Sequence, residues 1–306
     1  MARGVAVLEV FAALAELAEL AELAKGGLTP SQEALSDCGR APYTPVMPPI
    51  EPSRTRDQAA GRDWYHQAFD ALYLRLYARR DGREAEGLAA ALAGASIRGP
   101  ALEVACGAGR FLRALAARVE QVFGLDLSAD LLREARLRFP GTAPPLVRGD
   151  MRRLPFRSGS LPLVLSLFTS FGYFADPEED RRAVAEASRV LRPGGAYLLD
   201  FLNGPVAVAK LVPESRREVA GRQVREVRWV DPAGPFLRKV VEVAPGPGEA
   251  PCTREERVRL YTPADLEAIC RSAGLLPELR WGGYRGEAFR PEASERFLLL
   301  ARKAQA

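Results

Sequence analysis

The middle of the chain alternates short apolar runs with segments of helical spacing. The apolar runs have strand length and lie near residues 100–105, 121–125, 145–148, 161–168 and 195–201. The segments of helical spacing lie between them, near residues 109–118, 129–139 and 179–191. Because strands that alternate with helices build parallel units, this order predicts an α/β fold with helices on both faces of a parallel sheet.

Beyond Asp200 the pattern changes to an alternation of apolar and charged residues. It is seen in "RREVAGRQVREVRWV", "FLRKVVEV" and "TREERVRLY", and it is typical of antiparallel strands with one solvated face. We therefore expect residues 204–260 to form a small antiparallel β insertion after the fifth strand, acting as a lid or a subunit contact. Four of its arginines are predicted to lie on a solvated face rather than to meet an acidic ligand: Arg216, Arg217, Arg225 and Arg228.

The last residues, 261–306, are predicted to complete the core that residues 97–203 begin. A helix near 263–273 has Thr262 at its N-cap and Gly274 just after its end. Two final strands are predicted near residues 276–281 and 296–302.

The first 60 residues have a different texture. "LAELAELAEL" repeats every three residues, which spreads its leucines around half a helix, and "APYTPVMPPIEP" carries five prolines. We expect residues 1–60 to form a poorly ordered Ala/Leu/Glu- and Pro-rich extension, with a partner-binding helix as the alternative. In residues 61–96, Phe69, Leu72, Tyr73 and Leu76 share helical spacing, which predicts helices ahead of the sheet.

No apolar stretch approaches the length of a membrane-spanning helix. The longest, "LPLVLSLF", has strand length and is far shorter than the roughly 20 residues required. Glutamates at positions 9, 16, 19 and 22 interrupt any apolar signal-peptide region. We expect a cytoplasmic protein without a membrane partner.

The composition argues against metal and nucleic-acid ligands. The four cysteines form no paired spacing with one another or with the single histidine, His66, so no metal site is expected. The formal net charge is only +4, and the 39 arginines and 4 lysines are scattered singly among acidic residues. Nucleic acid is therefore not expected as a partner.

The stretch "ALEVACGAGRFL", residues 101–112, places two glycines after the first strand. Gly107 and Gly109 lack a Cβ, which lets the chain turn sharply and lets its backbone approach a ligand. The helix that follows presents free N–H groups. A dinucleotide fingerprint would have a small residue in place of Leu112, and a P-loop would end in Gly-Lys-Ser/Thr, so neither phosphate-binding motif is present.

Acidic and aromatic residues follow the next strands at the same edge of the sheet. Asp126 ends the second strand, where a carboxylate can accept both hydroxyls of a ribose. After the third strand, Asp150 suits an exocyclic amine and Met151 a flat ring, and the fourth strand exits through the aromatic "LFTSFGYF". The structural alternatives are an N-cap partner beside Ser128 for Asp126, a turn residue for Asp150, and core packing for the aromatics.

These motifs, in this order, resemble the core of class I S-adenosylmethionine-dependent methyltransferases, and within them the bacterial small-molecule type of the methyltransferase domain 25/11 families. The resemblance rests on "LEVACGAGR", "FGLDLS", "GDMRRLPF", "SLFTSFGYF" and "VLRPGGAYLLDF". "DWYHQAFDALYLRLY" and "VRLYTPADLEAICRSAGL" extend it over about residues 62–305. The chain has Glu103 where the family usually has aspartate, and Ala105 where the family often has its first loop glycine.

The resemblance implies a Rossmann-like, seven-stranded methyltransferase sheet that binds S-adenosyl-L-methionine, with residues 61–96 capping the site. The implied cofactor-binding residues are Tyr73, Glu103, Ala105, Gly107, Gly109, Asp126, Leu127, Asp150, Met151, Leu167 and Phe168. The glycine loop would approach the methionine moiety, Asp126 the ribose, and residues 127, 150 and 151 the adenine. The backbone of Leu167 or Phe168 would lie near the sulfonium. Tyr73 or Tyr65 would reach the cofactor carboxylate, with helix packing as the alternative for Tyr73.

The implied activity is methyl transfer to N or O of a small-molecule acceptor by in-line displacement, mainly through proximity and orientation, with S-adenosyl-L-homocysteine as product. No general base stands out, and the weak candidates are His66, Tyr173 and Tyr284. Tyr173, Asp200, Asn203 and Tyr284 are expected to line the acceptor pocket. The alternatives are an enzyme that methylates RNA or protein, and a non-catalytic S-adenosylmethionine-binding scaffold. Whether the chain forms a homodimer is left open.

Overall fold

The computed structural model describes residues 64–77, 82–94, 99–139, 141, 143–246 and 250–305. The expectations for residues 1–60 lie outside this part of the chain. The described residues form eight helices and eleven strands in two sheets. No helix among them is both long and apolar enough to cross a membrane.

The first sheet carries the α/β core. Its strands are β1 (Ala101–Val104), β2 (Val122–Asp126), β3 (Leu146–Arg148), β4 (Leu161–Ser166), β5 (Leu191–Leu202), β10 (Leu275–Trp281) and β11 (Arg296–Lys303). Their order is β10–β11–β5–β4–β1–β2–β3, in which β1 to β5 run parallel and β11 pairs antiparallel with both β5 and β10. The predicted seven-stranded sheet is therefore confirmed.

Helices cover both faces of this sheet. They are α1 (Tyr65–Ala68), α2 (Ala71–Leu76), α3 (Arg83–Gly94), α4 (Arg110–Ala116), α5 (Ala129–Leu137), α6 (Pro177–Val190), α7 (Gly204–Ala209) and α8 (Pro263–Ser272). On one face Val184 of α6 and Leu266 of α8 join a core cluster. On the other, Leu88 of α3 and Leu115 of α4 join a second cluster. Strand β4 is buried along its whole length, because side chains on both its faces meet helices.

The fifth strand begins earlier than its sequence suggests. It starts at Leu191, whereas the expectation was a strand from about residue 195. The register against β4 shifts between the pairs Leu161–Leu191 and Leu163–Ala196, and Gly194 adopts a φ of +70° in that irregularity. Proline and glycine in "RPGG" indicate a turn, but here they form a bulge inside the strand.

The end of the chain matches its prediction closely. The Thr262 side chain accepts a hydrogen bond from the N–H of Asp265, and Asp265 accepts one from the N–H of Thr262, which completes a capping box on α8. Gly274 follows the helix with a φ of +74°, a conformation that glycine adopts without steric cost.

The second sheet is antiparallel and follows β5 in the chain. Its strands are β6 (Glu214–Val219), β7 (Arg222–Val230), β8 (Phe236–Val243) and β9 (Cys252–Arg259), in that order. It packs against the end of α2 through a cluster that contains Leu76, Tyr77, Val224 and Val241. The sheet therefore supports the short helices that precede the core.

The expectation of a solvated face for the arginines of this sheet is wrong for Arg228. That side chain is fully buried, where it pairs with Glu226 and donates to Ser215 Oγ. Arg217 is also largely covered and binds both Glu226 and the carbonyl of Leu76. Both faces of these strands carry charges, so the alternation cannot show which face is buried. Only Arg216, with 65% of its side chain exposed, is mainly solvated among the four.

Candidate functional site

A cavity of about 560 Å³ lies at the carboxyl edge of the parallel strands. Its walls come from the ends of β1, β2, β3 and β4 and from α1 and α2, which lie over it. The predicted residues that line it are Tyr65, His66, Tyr73, Glu103, Ala105, Gly107, Asp126, Leu127, Asp150, Met151, Leu167, Phe168 and Tyr173. The volume is within the range of small-molecule sites.

The loop after β1 turns through three left-handed residues. Ala105, Gly107 and Gly109 have φ values of +55°, +56° and +77°. The N–H of Gly107 donates to Oδ2 of Asp126 at 2.8 Å, which ties the loop to the end of β2. Gly109 does not line the cavity. A Cβ at this position would lie 3.1 Å from the Phe139 ring, so this glycine allows the loop to pack against α5.

Asp126 is buried and serves the fold as well as the cavity. Its Oδ1 accepts from the N–H of Ser128 at 2.8 Å, while Ser128 itself caps α5 through Leu131. Burial raises the pKa of Asp126, and the hydrogen bonds from Ser128 and Gly107 partly offset that effect. Each carboxylate oxygen accepts one backbone N–H, which leaves a lone pair on each for a ligand hydroxyl.

Glu103 places a second buried carboxylate in the cavity wall. Its Oε2 has no hydrogen-bond partner. Burial raises its pKa well above the usual value, and nearby Arg110 acts in the opposite direction. Arg110 itself pairs with Glu84 of α3 and stacks between the rings of Phe111 and Phe168, 4.5 Å from each. The unsatisfied oxygen of Glu103 therefore calls for a ligand that donates hydrogen bonds.

Asp150 is held by a residue that the motif contained but sequence reasoning did not single out. The guanidinium of Arg152 binds both oxygens of Asp150 and bridges to Glu179 on α6 at 2.8 Å. Burial alone would raise the pKa of Asp150, but the hydrogen bonds from Arg152 outweigh it and lower that pKa. Asp150 therefore stays ionised at the cavity wall beside Met151.

Asp200, Asn203 and Tyr284, which were expected to line the acceptor pocket, are buried behind the wall of this cavity and do not line it. Tyr284 is buried and donates to Oδ2 of Asp200 at 2.7 Å. Asn203 donates to the carbonyls of Pro291 and Ser294. The cause is the antiparallel partner β11, which covers the end of β5 together with the segment before it.

One part of the cavity wall is aromatic. Its side chains come from α1, α2 and the loop after β4, and they are Tyr65, Phe69, Tyr73, Tyr77, Tyr173 and Phe174. The Phe69 ring lies 5.7 Å from Tyr173 and 5.0 Å from Tyr73. Trp64 donates to the carbonyl of Tyr173 at 3.2 Å. His66 is exposed at the rim of this wall.

Tyr77 is a cavity residue on this wall that the sequence analysis missed. It follows Tyr73 by four residues, and their ring centroids lie 4.7 Å apart. The same spacing of four had already linked Phe69 with Tyr73, so the signal was present in "FDALYLRLY".

Comparison with known proteins identifies the family. A family model described as a methyltransferase domain matches residues 101–195. A dTDP-3-amino-3,4,6-trideoxy-alpha-D-glucopyranose N,N-dimethyltransferase from Streptomyces venezuelae is 34% identical over 60% of this chain and 78% of its own length. The chain belongs to the class I S-adenosylmethionine-dependent methyltransferases.

Two further matches agree with this assignment of the methyltransferase. A dTDP-3-amino-3,6-dideoxy-alpha-D-glucopyranose N,N-dimethyltransferase from Streptomyces fradiae is 33% identical over 75% of this chain and 84% of its own length. The S-adenosylmethionine-bound structure of CalS10, an amino pentose methyltransferase from Micromonospora echinaspora, superposes with a TM-score of 0.59 at 25% identity, covering 76% of this chain and 96% of that one. The predicted family, enzyme class and cofactor, S-adenosyl-L-methionine, are confirmed.

The cavity of this methyltransferase fits that cofactor. S-Adenosyl-L-methionine has an ammonium group, which suits the unsatisfied oxygen of Glu103. It has two ribose hydroxyls, which suit the remaining lone pairs of Asp126. Leu127 and Met151 provide apolar side chains for a flat ring on the same side of the cavity.

Proposed function

We propose that this methyltransferase transfers a methyl group to the amino nitrogen of a small-molecule acceptor of the amino sugar class. Two relatives that are 34% and 33% identical carry names of sugar N,N-dimethyltransferases, which supports this acceptor class. The sequence analysis left N and O acceptors open, and the relatives favour N.

The aromatic wall is the observation that carries the proposal. Aromatic rings present electron-rich faces, which attract ammonium groups and stack against sugar rings. Asp70 adds a carboxylate to the same wall, where it caps α2 and pairs with Arg254. Among the described cavity residues from 65–77 and 170–174, His66 carries the one basic side chain. Such a wall suits an amine better than an acidic acceptor.

The proposal assigns the methyl group to the cofactor and the positioning of the cofactor to the cavity residues. When bound, S-adenosyl-L-methionine supplies a methyl group on a sulfonium, and in-line displacement by the acceptor leaves S-adenosyl-L-homocysteine. In the proposal Glu103, Ala105 and Gly107 hold the methionine end, and Asp126 holds the ribose. Asp150 and Met151 frame the adenine, with Leu127 against it, while the backbone of Leu167 and Phe168 closes the reacting end.

Orientation supplies most of the rate in this proposal. A thioether leaves without being protonated, so no general acid is needed. Holding two reactants in line supplies roughly 7–11 kcal/mol in favourable intramolecular models. The helices α1 and α2 line the cavity, and in the proposal the antiparallel sheet supports them as part of the same lid. The other role considered for this sheet, a contact between two copies, is tested by light scattering.

Labelled S-adenosyl-L-methionine separates this proposal from its alternatives. The protein is incubated with dTDP-3-amino-3,6-dideoxyglucose, with the same sugar nucleotide carrying a hydroxyl in place of the amine, with RNA and with a cell protein extract. We expect label in the amino sugar alone. Label confined to RNA or protein would overturn the proposal, and cofactor binding by calorimetry with no label in any sample would identify a scaffold.

A further inference from the structure

Tyr77 connects the cavity with a buried group of charges in the antiparallel sheet. Its side chain contributes to the cavity wall, and its hydroxyl oxygen accepts a hydrogen bond of 2.6 Å from Nζ of Lys239. The same hydroxyl donates to Oε1 of Glu256 at 3.3 Å. Lys239 and Glu256 occupy paired positions on β8 and β9 and form an ion pair of 2.8 Å.

The charges around Lys239 come from every strand of this sheet. Across β7, Arg228 is its register partner, and Glu226 lies on the same face of that strand. Arg217 on β6 pairs with Glu226 and stands 5.5 Å from the centre of the Tyr77 ring. Glu226, Arg228 and Glu256 are buried, and Lys239 is only 1% exposed. Tyr77 therefore joins this buried group of charges to the cavity wall.

We propose that Tyr77 and Lys239 remove the proton from the ammonium group of the acceptor before methyl transfer. This proposal rests on the amine acceptor of the proposed function. It adds a base to the three candidates from the sequence, of which His66 is exposed at the rim, Tyr284 lies behind the wall, and Tyr173 lines the cavity.

The proton transfer balances without any further reactant. With Lys239 neutral, the hydroxyl of Tyr77 turns from Glu256 to donate to the lysine amine. The acceptor ammonium then gives its proton to the hydroxyl oxygen of Tyr77 while the phenolic proton of Tyr77 passes to Lys239. The acceptor becomes a neutral amine with a free lone pair, and Lys239 becomes an ammonium beside Glu256. Before the next turnover Lys239 releases that proton to solvent along the same path.

Burial makes lysine suitable for this step. Removal from water lowers the pKa of Lys239, whereas Glu256 and Glu226 raise it and Arg228 lowers it again. The net direction is downwards, which favours the neutral form that accepts the proton in this proposal. An arginine in the same place would stay charged and could not act as the acceptor of a proton.

Direct titration of Lys239 is the first test. The chain has only four lysines, so ¹³C-lysine labelling gives four Cε signals, and Lys239→Met assigns the relevant one. We expect the Lys239 signal to titrate at a lower pH than the other lysines and to shift its midpoint in Tyr77→Phe. A Lys239 midpoint equal to that of exposed Lys210 would overturn the proposal.

The second test is the pH dependence of turnover with dTDP-3-amino-3,6-dideoxyglucose as the acceptor. General-base catalysis contributes about 10²- to 10⁴-fold, so Tyr77→Phe, which keeps the ring, should lower kcat by about 100-fold at pH 7. The loss should shrink as the pH rises through the pKa of the acceptor amine, because the free amine then forms in solution. Lys239→Met should show the same profile, and Lys210→Met should match the wild type.

Unaltered cofactor affinity in Tyr77→Phe shows that this variant has folded. A uniform loss of kcat at every pH would show that Tyr77 only packs against its neighbours, and would overturn the proposal. The proposed function would still stand in that case, provided that the wild-type protein methylates the amino sugar. If the wild type does not methylate the amino sugar at all, the proposed function fails, and with it the proton acceptor, whatever the titration of Lys239 shows.

Discussion

The backbone N–H of Phe168 donates a hydrogen bond of 2.7 Å to Oδ2 of Asp200, 32 residues further along the chain. Phe168 and Thr169 have φ values of +56° and +59°, a conformation that costs non-glycine residues on the order of 1–3 kcal/mol each. Arg296 donates to the other oxygen of Asp200 and to the hydroxyl of Thr169. The cavity wall after β4 is therefore held in place by a buried ion pair behind it.

Arg296→Met is expected to lower the free energy of unfolding by about 3–5 kcal/mol, because it leaves the buried carboxylate of Asp200 without its counter-ion. Urea denaturation measures the loss. The matched control is Arg302→Met on the same strand, whose pair with Glu278 is about 40% exposed and should contribute under about 1 kcal/mol. Equal losses in the two variants would show that the Asp200 pair has no special role.

Asp126→Asn should weaken binding of S-adenosyl-L-methionine by about 10- to 100-fold, since a hydrogen bond to a charged group contributes about 1.5–3 kcal/mol. The amide keeps one acceptor oxygen for the N–H of Gly107 or Ser128, but not for both. Calorimetry with the cofactor measures the change. Glu178→Gln, at an exposed position on α6, should bind as the wild type does, and an unchanged affinity in Asp126→Asn would exclude a ribose role.

Local patterns predicted most of the core, because each strand and helix there carries its own signal. The apolar length of β4 and the capping residues of α8 are properties of short segments. The start of β5 escaped prediction, since Pro193 and Gly194 are turn residues by every local rule and only pairing with β4 draws them into the strand.

The contacts of the site were predictable where they join the ends of neighbouring strands. They were not predictable where segments far apart in the sequence meet. Gly107 and Asp126 lie at the ends of consecutive strands, so the fold alone brings them together. The contact of Tyr77 with Lys239 spans 162 residues and crosses from a helix to the second sheet. Tyr284 was expected to contact a ligand because the residues around it do not reveal its hydrogen-bond partner, Asp200, which lies 84 residues earlier in the chain.

Ionisation of the buried Asp180 should make the folded protein less stable as the pH rises from about 4 to about 6. Burial is the largest cause that raises its pKa, from 3.8 to about 6, against the hydrogen bond from Tyr261 and the charge of Arg259. Between these values the folded state binds more protons than the unfolded state, so the free energy of unfolding falls with rising pH.

Asp180→Asn removes this titration and should flatten the slope over that interval. The difference in unfolding free energy between wild type and variant should change by roughly 2–3 kcal/mol between pH 4 and pH 6.5. Urea denaturation at a series of pH values measures it. Parallel curves would show that the folded-state pKa of Asp180 is ordinary.

Gly124→Ala should damage both stability and cofactor binding, because β2 passes under the glycine loop at this residue. An added Cβ would lie 2.6 Å from Leu112, 2.8 Å from the sulfur of Cys106 and 2.8 Å from Leu146. Overpacking of this kind costs about 1–3 kcal/mol, and relief by moving Cys106 would displace the loop that carries Gly107. Thermal unfolding and cofactor calorimetry measure the two effects.

The control is Gly234→Ala, where the nearest atom to an added Cβ is 3.4 Å away. This variant should stay within about 0.5 kcal/mol of the wild type. A stable Gly124→Ala variant with normal affinity would mean that the loop tolerates the shift and that its position does not set cofactor binding.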